Sequence, residues 1–193
     1  MGIKERRQRE IEGVKQEVLQ ATRRLARENG WPEVSIRKIA EAIEYTPPVI
    51  YEHFKNKEAI LITLDELGFK LLREHLDAAR DTVRDPAQQL LAVSEAFWDW
   101  AFAHTELYQV MFNMEGVQSS PTNSKALLQG ADAALQALRQ LHLFSTGVEG
   151  VFFNWWAIVH GHVGLVMSGR IPGMREQIRQ YMLDGVGRLI RTL

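Results

Sequence analysis

His160 and His162, in the run "WAIVHGHVGL", are the first residues whose type invites chemistry, because neutral imidazole is a common metal ligand. Their spacing argues against that use. Two positions apart on a helix, they point about 200° around the axis from each other and cannot face one ion. No H-E-x-x-H stretch and no cysteine supplies another ligand set, so no metal and no other cofactor is expected. Nucleophilic catalysis is no better served. Ser168 falls at a helix end, and there is no G-x-S-x-G and no paired acidic cluster. The distribution of charge points elsewhere. Residues 1–57 hold 12 Lys and Arg against 9 Asp and Glu, and the remainder holds 11 against 15. A basic end on a mildly acidic body suits a polyanion partner at the N-terminal side.

The elements that would position such groups read almost entirely as helix. The chain has 193 residues with 46% hydrophobic and 24% charged side chains, enough for a real core under a soluble surface. No run alternates apolar and polar residues between turn signals, so no strand is expected. Ile11, Val14, Val18, Leu25 and Ala26 mark one face of a first helix, closed at Gly30. Ser35 can cap a short helix carrying Ile36, Ile39, Ala40 and Ile43, and Asn56 a long one from Ile60 to Ala79. Asp85 before Pro86 is a helix start, with Gln88 placed for a capping-box pairing, and Thr105 begins another helix. "GVQSSPTN" reads as a loop, followed by a helix from about Ser124 to Leu143. Thr146 and Glu149 form a T-x-x-E box opening an aromatic helix that ends at Ser168 and Gly169, and Pro172 is expected to start the last one. The most apolar run, Val151 to Met167, is shorter than the ~20 residues a bilayer span needs. The charged N-terminus has no apolar signal core, and the lack of cysteine fits a reducing compartment. A cytoplasmic location without membrane attachment is expected.

The segment "SIRKIAEAIEYTPPVIYEHF" is the informative one. Two short helices, one aimed inward by Ile36, Ile39, Ala40 and Ile43 and the other by Ile50 and Phe54, are joined by only a few residues. That layout is a helix-turn-helix, whose second helix enters the major groove N-terminus first. Prolines are tolerable there, because first-turn amides have no intrahelical partner to lose. The second helix is expected to begin at Pro48, with Thr46 or Pro47 as its last non-helical residue. The prolines then form a stiff apolar tip able to pack against thymine methyl groups.

These residues resemble the TetR-type bacterial transcriptional regulators. The resemblance is carried by Ser35, Ile36, Ile39 and Ala40, then Tyr51, His53, Phe54, Lys57, Glu58 and Leu61, and the family pattern spans roughly residues 10–62. "WAIVHGHVGL" adds a W-x-x-x-H-G motif, Trp156, His160 and Gly161, similar to the WHG-type C-terminal domain of a TetR subfamily. One departure is Glu44, where the family often has glycine at the turn. Either Glu44 takes a left-handed conformation or the turn is shaped differently.

The resemblance implies an all-α fold: a three-helix helix-turn-helix module over residues 1–57, and a larger helical ligand-binding and dimerisation domain over 58–193. It implies base contacts from Thr46, Pro47, Pro48 and Val49, and phosphate contacts from Tyr51, His53 and Lys57. Arg37 and Lys38 open the preceding helix and can grip the backbone too. The aromatic set either close-packs as core and dimer interface or lines a cavity between helices. By the resemblance it should line an effector cavity, with Trp98, Phe102, Tyr108, Met111, Phe112, Phe153, Trp156 and His160 around it. The last two helices, with Gly161, Gly164, Gly185 and Gly187 allowing close approach, would make a homodimer that binds a pseudo-palindromic operator on double-stranded DNA. The function so implied is a repressor released by a small apolar effector. Its rivals are a small helical hydrolase and a peptide-binding adaptor. Salt dependence separates them, since a DNA binder loses affinity steeply as salt rises.

Overall fold

The computed structural model describes residues 2–114, 117, 129–141 and 147–193. All but Val117 of the loop read at 116–123, and residues 124–128 and 142–143 of the helix read at 124–143, lie outside the described residues, as does Thr146 of the expected capping box. Described in order are α1 (Ile3–Asn29), a 3-10 turn (Trp31–Glu33), α2 (Ile36–Ala42), α3 (Pro47–His53), α4 (Lys57–Arg80), α5 (Pro86–Ala103), α6 (Thr105–Met111), α7 (Asp132–Gln140), α8 (Val148–Met167) and α9 (Arg175–Arg191). No strand occurs among the described residues. They fall into two compact units: Met1–Gly68 with His104–Asn123, and the remainder.

In the first unit α1 packs on α2, α3, α6 and the 3-10 turn. Val18, Ile39, Ala40, Ile50 and Ile60 are fully buried. Each such Ile removed from water contributes about 2 kcal/mol. The caps follow the sequence. Ser35 Oγ accepts the Lys38 amide at 3.3 Å, and Asn56 Oδ1 accepts the Ala59 amide at 2.9 Å. Gly30 closes α1 at φ 78°, its amide reaching the Ala26 carbonyl at 2.9 Å. Trp31 comes directly after that closure. It is buried, and its indole donates to the Glu106 carbonyl at 3.2 Å, pinning the end of α1 to α6. Gly68 permits α4 to approach α6, because a Cβ there would stand 2.5 Å from Met111 Sδ.

Glu44 takes the first of the two options its sequence position left open. It sits at φ 59°, in the left-handed region. The Tyr45 amide bonds the Ala40 carbonyl at 2.9 Å and the Glu44 amide bonds the Glu41 carbonyl at 3.2 Å. Those two bonds make a Schellman closure of α2, with Glu44 where glycine is usual. The turn keeps its shape and Glu44 carries the strain. Glu44→Gly should therefore raise the unfolding free energy by about 0.5–1 kcal/mol, measured by urea denaturation. A loss of stability would show that the Glu44 side chain holds the turn.

In the second unit α7 packs on α5 and α8, and α9 packs on α5 and α8. Asp85 Oδ2 accepts the Gln88 amide at 2.9 Å and opens α5 as its sequence indicates. The last helix starts later than Pro172. Met174 is its N-cap and Arg175 its first residue. Gly169 at φ 68° and Gly173 at φ 75° keep the intervening residues out of helical geometry. The core is aromatic: Phe97, Phe152 and Trp155 are fully buried, and Phe97 meets Trp155 edge-on at 6.2 Å. The Trp155 indole donates to Ser94 Oγ at 2.9 Å, which donates in turn to the Leu90 carbonyl at 2.6 Å, so these two buried side chains are paired. Among the described residues no helix is long and apolar enough to cross a membrane.

Candidate nucleic-acid interface and effector cavity

Thr46 is the N-cap of α3 in extended geometry (φ −99°, ψ 153°), and Pro47 and Pro48 fill the first two helical positions. The helix thus begins one residue earlier than Pro48. Pro47 already has a helix-compatible φ, and its missing amide costs nothing at that position. Ile50 and Phe54 anchor one face of α3 in the core. The opposite side presents Thr46, Pro48 and Tyr51 to solvent, with Pro47 and Val49 half-buried. Tyr51 is 55% exposed, unusual for an aromatic residue with no core role, and Tyr45 at the tip is 40% exposed.

The cations around α3 differ in availability. Arg37 is exposed and has no partner among the described residues. Lys38 is also exposed, but its ammonium pairs with the Glu33 carboxylate, whose pKa that hydrogen bond lowers. Lys57 lies at the start of α4, where its Nζ donates to the Val34 carbonyl at 2.7 Å. Burial pushes the Lys57 pKa down. His53 is half-buried in a cleft of about 550 Å³ between α1 and α3, beside Arg7, Glu10 and Glu52.

The residues expected around an effector fall on both units. Tyr108, Met111 and Phe112 belong to the first, where Tyr108 and Met111 are buried and the Tyr108 and Phe112 rings lie 4.5 Å apart. Burial pushes the Tyr108 phenol well above its ordinary pKa. Trp98, Phe102, Phe153, Trp156 and His160 belong to the second. Trp98 is buried against Phe102 at 4.8 Å, and the Arg175 guanidinium lies 4.1 Å from the Phe102 ring centre. Trp156 stacks on His160 at 5.5 Å, and burial lowers the His160 pKa, favouring a neutral ring. Phe153 is 55% exposed. A cavity of about 760 Å³ in this unit is lined by Phe152 and Phe153 together with Leu135, Val148, Arg73 and Arg139. Its arginines and the Asp132 carboxylate carried no signal in the sequence, and Glu149 carried one only as a helix-capping residue. Each sits on an ordinary polar helix face, and only the packing turns it toward a common space.

A short, proline-tipped helix with a bare polar face, closed against α2 through a Schellman turn, defines a helix-turn-helix DNA-binding protein. The family profile described as bacterial regulatory proteins of the tetR family matches residues 18–64, and the tetracyclin repressor-like C-terminal domain profile matches residues 90–186. The chain belongs to the tetR family of bacterial regulatory proteins. No curated protein matches the sequence. Among solved structures, a protein of unknown function from Rhodococcus sp. RHA1 is similar, with a TM-score of 0.77, 19% identity, and coverage of 93% of this chain and 95% of that one. A TetR family transcription regulator from Marinobacter aquaeolei VT8 is also similar (TM-score 0.68, 17% identity, 95% and 97% covered). So is RolR in complex with the ligand resorcinol (TM-score 0.65, 14% identity, 95% and 94% covered).

Proposed function

We propose that this regulator is a homodimeric repressor, that it holds a pseudo-palindromic operator, and that a small apolar effector releases it. DNA reading is assigned to residues 1–57, and effector binding and dimerisation to residues 58–193. One observation carries the reading: the outer face of α3, where Thr46, Pro48 and Tyr51 are exposed although the helix is anchored by Ile50 and Phe54. On this reading Thr46, Pro47, Pro48 and Val49 meet base edges, while Tyr51, His53, Lys57, Arg37 and Lys38 hold phosphates. Effector binding is assigned to the second unit's cavity, which Phe153 of the expected aromatic set lines beside Phe152 and Leu135. That a protein of similar fold holds resorcinol supports a small aromatic ligand. Release requires the effector to favour the geometry that does not fit DNA. About 2.7 kcal/mol of differential affinity shifts that equilibrium a hundredfold.

Tyr51 gives the cleanest test, because its hydroxyl can be removed without touching the core. Tyr51→Phe should weaken binding to a duplex selected by the wild-type protein about three- to tenfold, with unfolding unchanged. Lys57→Ala should weaken it too, but also lower stability, since its ammonium bonds the Val34 carbonyl. Unaltered affinity in both variants, by fluorescence titration, would refute the phosphate assignment.

A further inference from the structure

We propose that the first turns of α1 extend the DNA grip beyond the helix-turn-helix, with Arg7 contacting a phosphate on the operator's flank. This deepens the DNA-binding reading and rests on it. Residues 5–10 are helical yet exposed on every side. An unpacked helical end gains nothing from burial, and its own helix formation is marginal. The stretch also precedes the matched family region, which begins at residue 18.

Its orientation is legible from one stripe. Val18 is fully buried, Val14 and Ile11 are half-buried, and Arg7 continues the same face into solvent. Across the cleft that stripe meets Val49, Glu52 and His53 of α3. Arg7 therefore stands beside the reading helix rather than on the far side of the module. The neighbouring arginines are engaged: Arg6 Nε bonds Glu10 at 2.9 Å, and Arg9 Nε donates to the Glu5 carbonyl at 3.4 Å. Arg7 has no partner among the described residues. Glu10 and Glu52 share that cleft with Lys15 and His53, and its one guanidinium is that of Arg7, which stands exposed. That group offers paired donors that match phosphate oxygens, on a stem long enough to reach outward. Such a contact fixes register and carries no sequence information.

The test is a titration of the full-length protein at several salt concentrations. It uses two duplexes: one selected by the wild type from a random pool, and one of random sequence. Arg7→Ala should weaken binding about three- to tenfold on both. The slope of log K against log salt should become shallower by about 1.8, the share of two neutralised phosphates, one for each protomer of the dimer. Arg7→Lys should keep most of the slope, because the charge is retained. The proposal is overturned if Arg7→Ala keeps slope and affinity while Tyr51→Phe weakens binding. It is equally overturned if the weakening is confined to the selected duplex. Should the wild type bind neither duplex, the DNA-binding reading falls and takes this one with it.

Discussion

Arg23→Ala should lower the unfolding free energy by about 3 kcal/mol, because it strands a buried carboxylate. Arg23 sets Nε and Nη2 each 2.9 Å from Glu106 Oε1. The Glu106 side chain is 1% exposed and the Arg23 side chain 18%. That asymmetry predicts which partner matters more. Without Arg23, Glu106 stays in a low-dielectric site, with only the Arg27 guanidinium at 3.6 Å to offset it. Arg27 is half-exposed and its field is screened by water, so it recovers a fraction of the loss. Without the carboxylate, Arg23 can swing its head into solvent. Glu106→Gln should therefore cost less than Arg23→Ala. Urea denaturation with circular dichroism reads both. A loss below about 1 kcal/mol in Arg23→Ala, the range of an exposed ion pair, would show that the pair is held by geometry alone.

The same cluster marks the limit of what the sequence discloses. The helix-turn-helix was legible because all its signals are local: Ser35 as a cap, two prolines in a first turn, Ile39 and Ile50 at helical spacing. The clamp on α6 was not, because Arg23 and Glu106 are 83 residues apart. In the sequence Glu106 is an acidic residue in a first helical turn, a position that favours carboxylates for electrostatic reasons and gives no hint of burial. Trp31 misleads in the same way. Between Gly30 and Pro32 it reads as part of a break, yet its ring fills the core and its indole completes the link to α6. Pro172 looked like a helix start on local grounds, and Gly173 one residue later overrides it. For the cavity proposed to hold an effector, types were legible and arrangement was not. The aromatic residues announce a large apolar interior, but which of them border space depends on α7 meeting α8, which no local pattern encodes.

Helix α8 is the element whose apolar surplus demands a second buried surface. Val151, Phe152, Trp155, Val159 and Val163 face the core. About half a turn away, Phe153, Ala157, Gly161 and Leu165 form an outward stripe at i, i+4, i+8 and i+12, with Phe153 and Leu165 55% and 52% exposed. A Cβ added at Gly161 or Gly164 would meet nothing within 4 Å, so the middle of the stripe is open to a close neighbour. On α9, Tyr181 is 48% exposed, and Gly185 stands close enough to α8 for its Cβ to lie 3.2 Å from Ile158. Soluble chains seldom leave such a stripe bare, and a two-fold partner presenting the same stripe would cover both. Leu165→Glu should then weaken self-association by roughly a hundredfold or more, about 2.7 kcal/mol, because each dimer would bury two unpaired carboxylates. Sedimentation equilibrium would show the variant as monomer at micromolar concentration where the wild type is dimer. Binding to a palindromic duplex should fall in parallel, since one reading head loses the second as its tethered neighbour. If Leu165→Glu and Ala157→Glu both remain dimers of wild-type affinity, the two-fold contact lies on another face. A monomeric wild type would remove the paired heads altogether.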